Sequence, residues 1–117
     1  MSRRCLIVDD NALYLGEARE LLQRQGMHVV GVASNRGDAM ALAAAQRPDV
    51  ALVDVDLGAE SGLDVARALA LSDEPVVVIL ISAYAETDLR ELLDDSPAVG
   101  FLRKSVVSRA AIDELLG

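Results

Sequence analysis

The sequence predicts an α/β fold of the doubly wound (βα)5 type, in which helices cover both faces of a five-stranded parallel sheet. Strand-like and helix-like patterns alternate along the 117 residues with short connections, as in folds built from β-α-β units. Two strand-like runs, VALV and VVVILI, are continuously apolar, as expected of central parallel strands that are buried on both sides. Several runs end in a charged or hydroxyl residue, and right-handed connections bring such ends to one edge of the sheet.

Local signals set the boundaries of the elements, taken in order along the chain. Gly26 supplies the stop of the first helix, and Pro48 ends the Ala-rich second helix. A glycine-containing loop precedes the third helix, Pro75 opens the fourth strand, and Ser108 is the N-cap of the last helix. The predicted strands are 5–8, 29–33, 50–53, 76–81 and 99–102, and the predicted helices are 12–25, 38–46, 63–71, 86–93 and 109–116. The first helix carries an apolar face at the spacing i, i+4, i+7 and i+8, formed by Tyr14, Ala18, Leu21 and Leu22.

Length, charge and composition exclude several classes of protein. At 117 residues the chain is expected to form a single domain over residues 1–117, with no output domain. Its net charge of −8 disfavours direct binding to nucleic acid or to an anionic membrane surface. No apolar run reaches the roughly 18 residues of a membrane span, and the single cysteine, Cys5, excludes an internal disulfide. A cytoplasmic protein is expected.

Four of the strand runs end in groups that suit a phosphoryl site. Asp9 and Asp10 follow the first run, and Asp54 follows the third. Crowded carboxylates repel unless a cation compensates them, and a hard divalent ion such as Mg²⁺ prefers oxygen ligands. Ser82 and Lys104 end the fourth and fifth runs, where a hydroxyl and an ammonium suit phosphoryl oxygens. Asp54 is the best candidate nucleophile, because a carboxylate can attack phosphorus and form an aspartyl phosphate.

Four motifs give the chain a resemblance to a known family over essentially its whole length. They are LIVDD, LVDVDLGAESGLD with Gly62 eight residues after Asp54, ILISA, and GFLRK. In this order and at these distances they resemble the receiver domain of two-component response regulators, the CheY-like family. The resemblance implies a flavodoxin-like fold with strand order 2-1-3-4-5. It also implies a signalling protein, not a metabolic enzyme, that catalyses only its own phosphorylation and dephosphorylation.

The resemblance assigns roles to the acidic residues of the first and third strands. Asp54 would accept a phosphoryl group from the phosphohistidine of a sensor histidine kinase or phosphotransfer protein. Asp9 and Asp10 match the acidic pair that binds Mg²⁺, with Asp54 as a further ligand. Asp56 would contribute its backbone carbonyl to the metal, whatever its side chain does.

The resemblance also assigns a switch at the fourth and fifth strands. Ser82 and Phe101 match the switch residues, and Lys104 matches the lysine of the phosphoryl site. In the family the switch pair moves together and remodels the face of the fourth helix, fifth strand and fifth helix (α4-β5-α5), where partners bind. The implied partners are the kinase or phosphotransfer protein and an unidentified downstream protein or output domain, with a phosphorylation-dependent homodimer as a further candidate.

The sequence departs from the family pattern beside the site. Ser105 stands where the family usually has a proline after the lysine, often with a cis peptide bond between the two. Before a residue other than proline, a cis peptide bond costs about 2.5 to 4 kcal/mol. Leu57-Gly58 replaces the usual Met-Pro and predicts a more flexible loop. Asp56 and Tyr84 lie two positions beyond the phosphoacceptor and the switch serine, where they are expected to alter the lifetime of the aspartyl phosphate.

Two other interpretations stay open from the sequence. The run ALVDVDLG resembles the DxD signature of haloacid-dehalogenase-type phosphatases, with Asp54 as the nucleophile and Asp56 as the general acid. That class carries the motif on its first strand, whereas here it lies on the third and leaves Asp9 and Asp10 without a role. The other alternative is a receiver-like interaction module that is never phosphorylated.

Overall fold

Five parallel strands form the central sheet in a computed structural model of the protein, which describes residues 3–83, 94 and 96–117. Counted along the chain, the strands of this sheet are β1 (Arg4–Val8), β2 (His28–Ala33), β3 (Val50–Asp54), β4 (Val77–Ser82) and β5 (Gly100–Arg103). Their order in space is β2-β1-β3-β4-β5, and every neighbouring pair is parallel. The predicted α/β class and the strand order 2-1-3-4-5 are confirmed.

Helices follow β1, β2, β3 and β5 in the described residues, and a small hairpin lies between β3 and its helix. The helices of the described residues are α1 (Ala12–Arg24), α2 (Arg36–Gln46), α3 (Gly62–Ala70) and a C-terminal helix (Arg109–Leu116). Two antiparallel strands of two residues, Asp56–Leu57 and Glu60–Ser61, form a hairpin where the sequence predicts only a flexible loop. The predicted helix at 86–93 lies outside the described residues. None of the helices that the structure describes is long and apolar enough to cross a membrane.

The sheet separates two apolar cores, one on each face. Successive residues of β1 point to opposite faces, so Cys5 and Ile7 pack with α1 and the C-terminal helix, whereas Leu6 and Val8 pack with α2 and α3. All four of these β1 side chains are fully buried. The continuous apolar runs of the central strands therefore serve two cores at once, which confirms that helices cover both faces.

Capping residues place the helix ends, in two cases earlier than predicted. Asn35 Oδ1 accepts a hydrogen bond from the backbone N–H of Asp38 at 2.9 Å, so α2 begins at Arg36 and not at 38. Ser61 caps α3 in the same way through the N–H of Leu63, so α3 begins one residue before the predicted start. The predicted Ser108 cap is confirmed, since its Oγ accepts from the N–H of Ala111 at 3.0 Å.

The end of α1 and the start of the C-terminal helix cap each other. The backbone N–H of Arg109 donates to Oε1 of Gln25 at 2.7 Å, and Nη1 of Arg109 donates to the backbone carbonyl of Gln25 at 2.9 Å. Arg3, just before β1, adds an ion pair to Asp113 of the C-terminal helix at 2.8 Å. These contacts hold the two helices together at the edge of the sheet opposite the predicted site.

Candidate functional site

The carboxyl ends of β1, β3, β4 and β5 bring the predicted site residues to one edge of the sheet. Asp54 and Ser82 are the last residues of β3 and β4, and Asp9 directly follows β1. Lys104 follows β5 and begins a short 3-10 turn. The cleft at this edge is lined by Asp10, Asn11, Asp54, Asp56, Gly58, Ser82, Ala83 and Lys104.

Lys104 forms two ion pairs at the centre of this cleft. Its Nζ lies 2.6 Å from Oδ2 of Asp9 and 2.9 Å from Oδ2 of Asp54. Both acids are buried, with exposed fractions of 0% for Asp9 and 6% for Asp54. Oδ2 of Asp9 has no hydrogen-bond partner of acceptable geometry among the described residues, so within them its charge is balanced by the Lys104 ammonium.

Burial and hydrogen bonding act in opposite directions on Asp54. Burial raises the pKa of its carboxyl group, and the nearby Asp9 carboxylate adds to that rise. Two contacts lower the pKa of Asp54: Oδ1 accepts a hydrogen bond from the backbone N–H of Asp56 at 3.1 Å, and Oδ2 pairs with Lys104. Their effect is smaller than the rise, so the pKa of Asp54 stays above its ordinary value. With Asp9, Asp10 and Asp54 facing one ammonium, that of Lys104, this cluster has more carboxylates than cations.

Tyr14 of α1 also contacts Lys104, through both its ring and its hydroxyl. The Lys104 ammonium lies 4.9 Å from the centroid of the Tyr14 ring, and the Tyr14 hydroxyl donates to the backbone carbonyl of Lys104 at 3.3 Å. Burial raises the pKa of Tyr14, and the Asp9 and Asp54 carboxylates raise it further. Its hydroxyl therefore stays protonated and can donate a hydrogen bond. Burial lowers the pKa of Lys104, but its close contacts with the Asp9 and Asp54 carboxylates raise it by more. The sequence places Tyr14 on the apolar face of α1 and gives no sign of this contact.

Three carboxylates of the cleft are close enough to bind one cation. Asp9, Asp10 and Asp54 each offer an oxygen, and these oxygens lie within 4.8 Å of one another. Asp10 is exposed, so an ion held there would keep part of its water shell, as Mg²⁺ usually does. The all-oxygen donor set and the negative charge left after pairing with Lys104 fit a hard divalent cation.

The two switch candidates lie on neighbouring strands but in different surroundings. Ser82 is 1% exposed and lines the cleft at the end of β4. Phe101 lies opposite Leu80 in the pairing of β5 with β4, is partly buried, and packs against the core on the α2 and α3 face. Tyr84, two positions beyond Ser82, lies outside the described residues. The structure thus places Ser82 at the cleft and Phe101 against the core next to it.

The site geometry requires two glycines, Gly58 in the hairpin after β3 and Gly62 at the start of α3. Gly58 has φ +72°, a conformation that other residues rarely adopt, and a Cβ on it would lie 3.1 Å from Oδ2 of Asp10. A Cβ on Gly62 would lie 1.7 Å from the backbone carbonyl oxygen of Asp54, so only glycine fits there. The Asp56 carboxylate turns back into the hairpin, where its Oδ1 accepts from the N–H of Gly58 at 3.0 Å. The motif spacing marks Gly62 as a family feature, but only the structure gives the physical reason.

The segment after Lys104 has an ordinary backbone. No cis peptide bond occurs in the part of the chain that the structure describes, so Lys104 is joined to Ser105 by a trans bond. Residues Lys104–Val106 form a 3-10 turn, and Ser105 is exposed. Val107 is 5% exposed and fixes the far end of the turn to the core.

Comparison with known proteins connects this fold and cleft to one family. The family model of the response regulator receiver domain matches residues 5–116. The chain belongs to this family. Among curated relatives, the transcriptional regulatory protein PdtaR of Mycobacterium tuberculosis is 32% identical over 102 residues, which cover 87% of this chain and 49% of PdtaR. The response regulator GacA of Pseudomonas aeruginosa is 31% identical over 114 residues, or 97% of this chain and 51% of GacA.

Solved receiver structures share the whole fold of this chain. The signal receiver domain of the response regulator NarL from Mycobacterium tuberculosis matches with a TM-score of 0.83 and 32% identity, covering 99% of this chain and 98% of that one. A response regulator from Burkholderia pseudomallei matches with a TM-score of 0.81 and 26% identity, covering 99% of this chain and 67% of that one. It was solved with a phosphorylated aspartic acid, a calcium ion and citrate. This receiver spans about half the length of the curated relatives it matches. Membership of the family favours the receiver interpretation over the phosphatase alternative.

Proposed function

We propose that this receiver accepts a phosphoryl group on Asp54 from the phosphohistidine of a sensor histidine kinase or phosphotransfer protein. The observation that carries the proposal is the position of the Asp54 carboxylate, 2.9 Å from the Lys104 ammonium in a cleft that also contains Asp9 and Asp10. The phosphorylated aspartic acid in the similar regulator from Burkholderia pseudomallei supports it.

The transfer needs one nucleophile and groups that neutralise the phosphoryl oxygens. A carboxylate oxygen of Asp54 forms the new O–P bond while the P–N bond to the donor histidine breaks, and the electron pair of that bond returns to the imidazole ring. Lys104, already within reach of Asp54, pairs with the developing negative charge. Ser82 at the end of β4 donates its hydroxyl hydrogen to a phosphoryl oxygen.

The acidic cluster is proposed to bind Mg²⁺. Asp9, Asp10 and Asp54 would each supply a carboxylate oxygen, and Asp56, on the rim of the same cleft, would supply its backbone carbonyl. When bound, the ion supplies positive charge that neutralises phosphoryl oxygens. Of these ligands, Asp9 would supply a buried oxygen and Asp10 an exposed one.

The output of the domain is proposed to be a change of surface that partners read. Ser82 and Phe101 act as the switch, because one lines the cleft and the other lies on the adjacent strand against the core. Partners then bind across the face of the fourth predicted helix, β5 and the C-terminal helix, and phosphorylation is proposed to promote a homodimer there. Residues 1–117 are proposed to act as one cytoplasmic receiver domain, whose acidic charge makes protein, and not nucleic acid, its target.

Intact-protein mass measurement with a small phosphodonor tests the proposal. Wild type incubated with acetyl phosphate and Mg²⁺ should gain the mass of one phosphoryl group, and beryllofluoride should bind in the same Mg²⁺-dependent way. Asp54→Asn should do neither, while Asp64→Asn, which changes an exposed acid outside the cleft, should behave as wild type. A wild type that shows no mass gain and no Mg²⁺ response is an unphosphorylated interaction module. Steady-state hydrolysis of p-nitrophenyl phosphate that disappears in Asp56→Ala would instead establish the phosphatase.

A further inference from the structure

Tyr14 contacts both ends of one residue that lies 90 positions later in the chain. Its hydroxyl donates to the backbone carbonyl of Lys104 at 3.3 Å, and its ring lies 4.9 Å from the ammonium of the same residue. The ring is partly buried, and no other described aromatic ring has a cation stacked on it. One side chain therefore restrains the backbone and the charged head of Lys104 together.

Lys104 leaves the sheet after Arg103, the last paired residue of β5, so a further contact helps to fix the backbone of the turn that it begins. A lysine side chain has four flexible carbon atoms, and its conformational freedom is lost when the ammonium is held at one place. The next residue, Ser105, is exposed and has no ring to restrict its φ angle. The nearest buried anchor after Lys104 is Val107.

The geometry points to Tyr14 as the positioning residue of Lys104. Its hydroxyl fixes the Lys104 carbonyl at the start of the 3-10 turn, and its ring contacts the ammonium that pairs with Asp9 and Asp54. Lys104 is then already placed when a phosphoryl group arrives at Asp54, which lowers the barrier to transfer. This inference rests on the proposed function, since the value of a placed ammonium is its contact with phosphoryl oxygens.

Tyr14 is not a catalytic residue, and its role differs from ordinary packing. The hydroxyl donates to a backbone carbonyl, and Tyr14 also lines a groove with Glu17, Ala18, Leu21, Lys104, Ser105 and Val107. A residue that only filled this groove would pack against Lys104 without donating a hydrogen bond to its backbone carbonyl. The two roles are therefore separated by a signal that reports on Lys104 itself.

The sequence offers such a signal, because Lys104 is the only lysine in the chain. Uniform ¹³C labelling of lysine gives one ε-CH₂ resonance and one lysine carbonyl resonance, both from Lys104. Three variants are compared with wild type: Tyr14→Phe keeps the ring and loses the hydroxyl, Tyr14→Leu loses both, and Leu13→Ala changes a side chain on the same turn that is 72% exposed. Each is also phosphorylated with acetyl phosphate and Mg²⁺, and the initial rate is measured.

The two tyrosine variants should separate the two contacts. Tyr14→Phe should move the carbonyl resonance only and slow phosphorylation about fivefold, as expected for one lost hydrogen bond. Tyr14→Leu should also remove the ring-current shift of the ε-CH₂ resonance and slow phosphorylation about tenfold or more. Leu13→Ala should match wild type in both measurements. If Tyr14→Leu does not fold, the carbonyl resonance and rate of Tyr14→Phe decide the question.

Two results would overturn the inference. The first is an unchanged resonance of Lys104: either the ε-CH₂ resonance in Tyr14→Leu or the carbonyl resonance in Tyr14→Phe stays at its wild-type position. The second is a loss of these shifts with phosphorylation as fast as in Leu13→Ala, because positioning would then have no consequence for transfer. A wild type that is never phosphorylated refutes the proposed function instead, and the resonances alone then decide whether Tyr14 holds Lys104.

Discussion

Gly62→Ala should damage both the fold and the site, because it forces apart two pieces of backbone. An alanine Cβ at this position would lie 1.7 Å from the carbonyl oxygen of Asp54, whereas real Cβ atoms essentially never approach a neighbour within 3.0 Å. The start of α3 and the end of β3 would have to separate by about 1.3 Å, the difference between these distances. Overpacking of this kind lowers the free energy of unfolding by about 3 kcal/mol. The clash is with backbone atoms, so a change of side-chain rotamer cannot relieve it.

The displaced backbone belongs to Asp54, so phosphoryl transfer should suffer as well. A misplacement near 1 Å reduces the rate of a positioned reaction about 100-fold, which acetyl phosphate with Mg²⁺ and intact mass would measure. Urea unfolding followed by circular dichroism measures the loss of stability. Gly16→Ala is the matched control, since a Cβ there meets nothing within 4 Å inside α1 and should raise stability by up to about 1 kcal/mol. A Gly62→Ala protein with wild-type stability and a wild-type rate would refute the close approach.

The remaining predictions concern the charges of the cleft, and both are measured by urea unfolding without metal. Asp54→Asn should be more stable than wild type at neutral pH, because the raised pKa of Asp54 means that ionising it opposes folding. This gain in stability over wild type should shrink as the pH falls toward the unfolded-state pKa of aspartate, about 3.9, because residue 54 then becomes uncharged in both proteins. A gain that grows toward acid pH would contradict a raised pKa of Asp54. Lys104→Met should lower the free energy of unfolding by about 3 kcal/mol, because it leaves two buried carboxylates without a cation. The double variant Lys104→Met, Asp54→Asn should recover part of that loss, and strict additivity of the two changes would show that the groups do not interact.

The fold could be predicted from the sequence because its signals are local and agree with one another. The continuous apolar runs of β3 and β4 indicate strands buried on both faces, and the structure puts them at the centre of the sheet. Gly26 ends α1 with φ +90°, and Ser108 caps the C-terminal helix, as their residue types suggest. Parallel strands then bring their carboxyl ends together, so the juxtaposition of the acids with Lys104 follows from the topology alone.

The rest could not be predicted because it depends on distant contacts. Leu15 is 8% exposed and joins the core, although the apolar spacing of α1 omits it, because the C-terminal helix covers that side of the sheet. The contact of Tyr14 with Lys104 spans 90 positions and leaves no local pattern. The early start of α2 is different, since Asn35 followed by Asp38 is a recognisable cap that the Ala-rich run obscures.

Helix α1 is attached to the rest of the molecule near both of its ends. At one end Tyr14 contacts Lys104, and at the other Gln25 accepts two hydrogen bonds from Arg109. The two attachments are about 16 Å apart along the helix axis at 1.5 Å per residue. Two separated attachments prevent a rod from rolling about its axis as well as from tilting. A displacement of α1 near Gln25 is therefore expected to reach the contact between Tyr14 and the Lys104 ammonium at the other end of the helix.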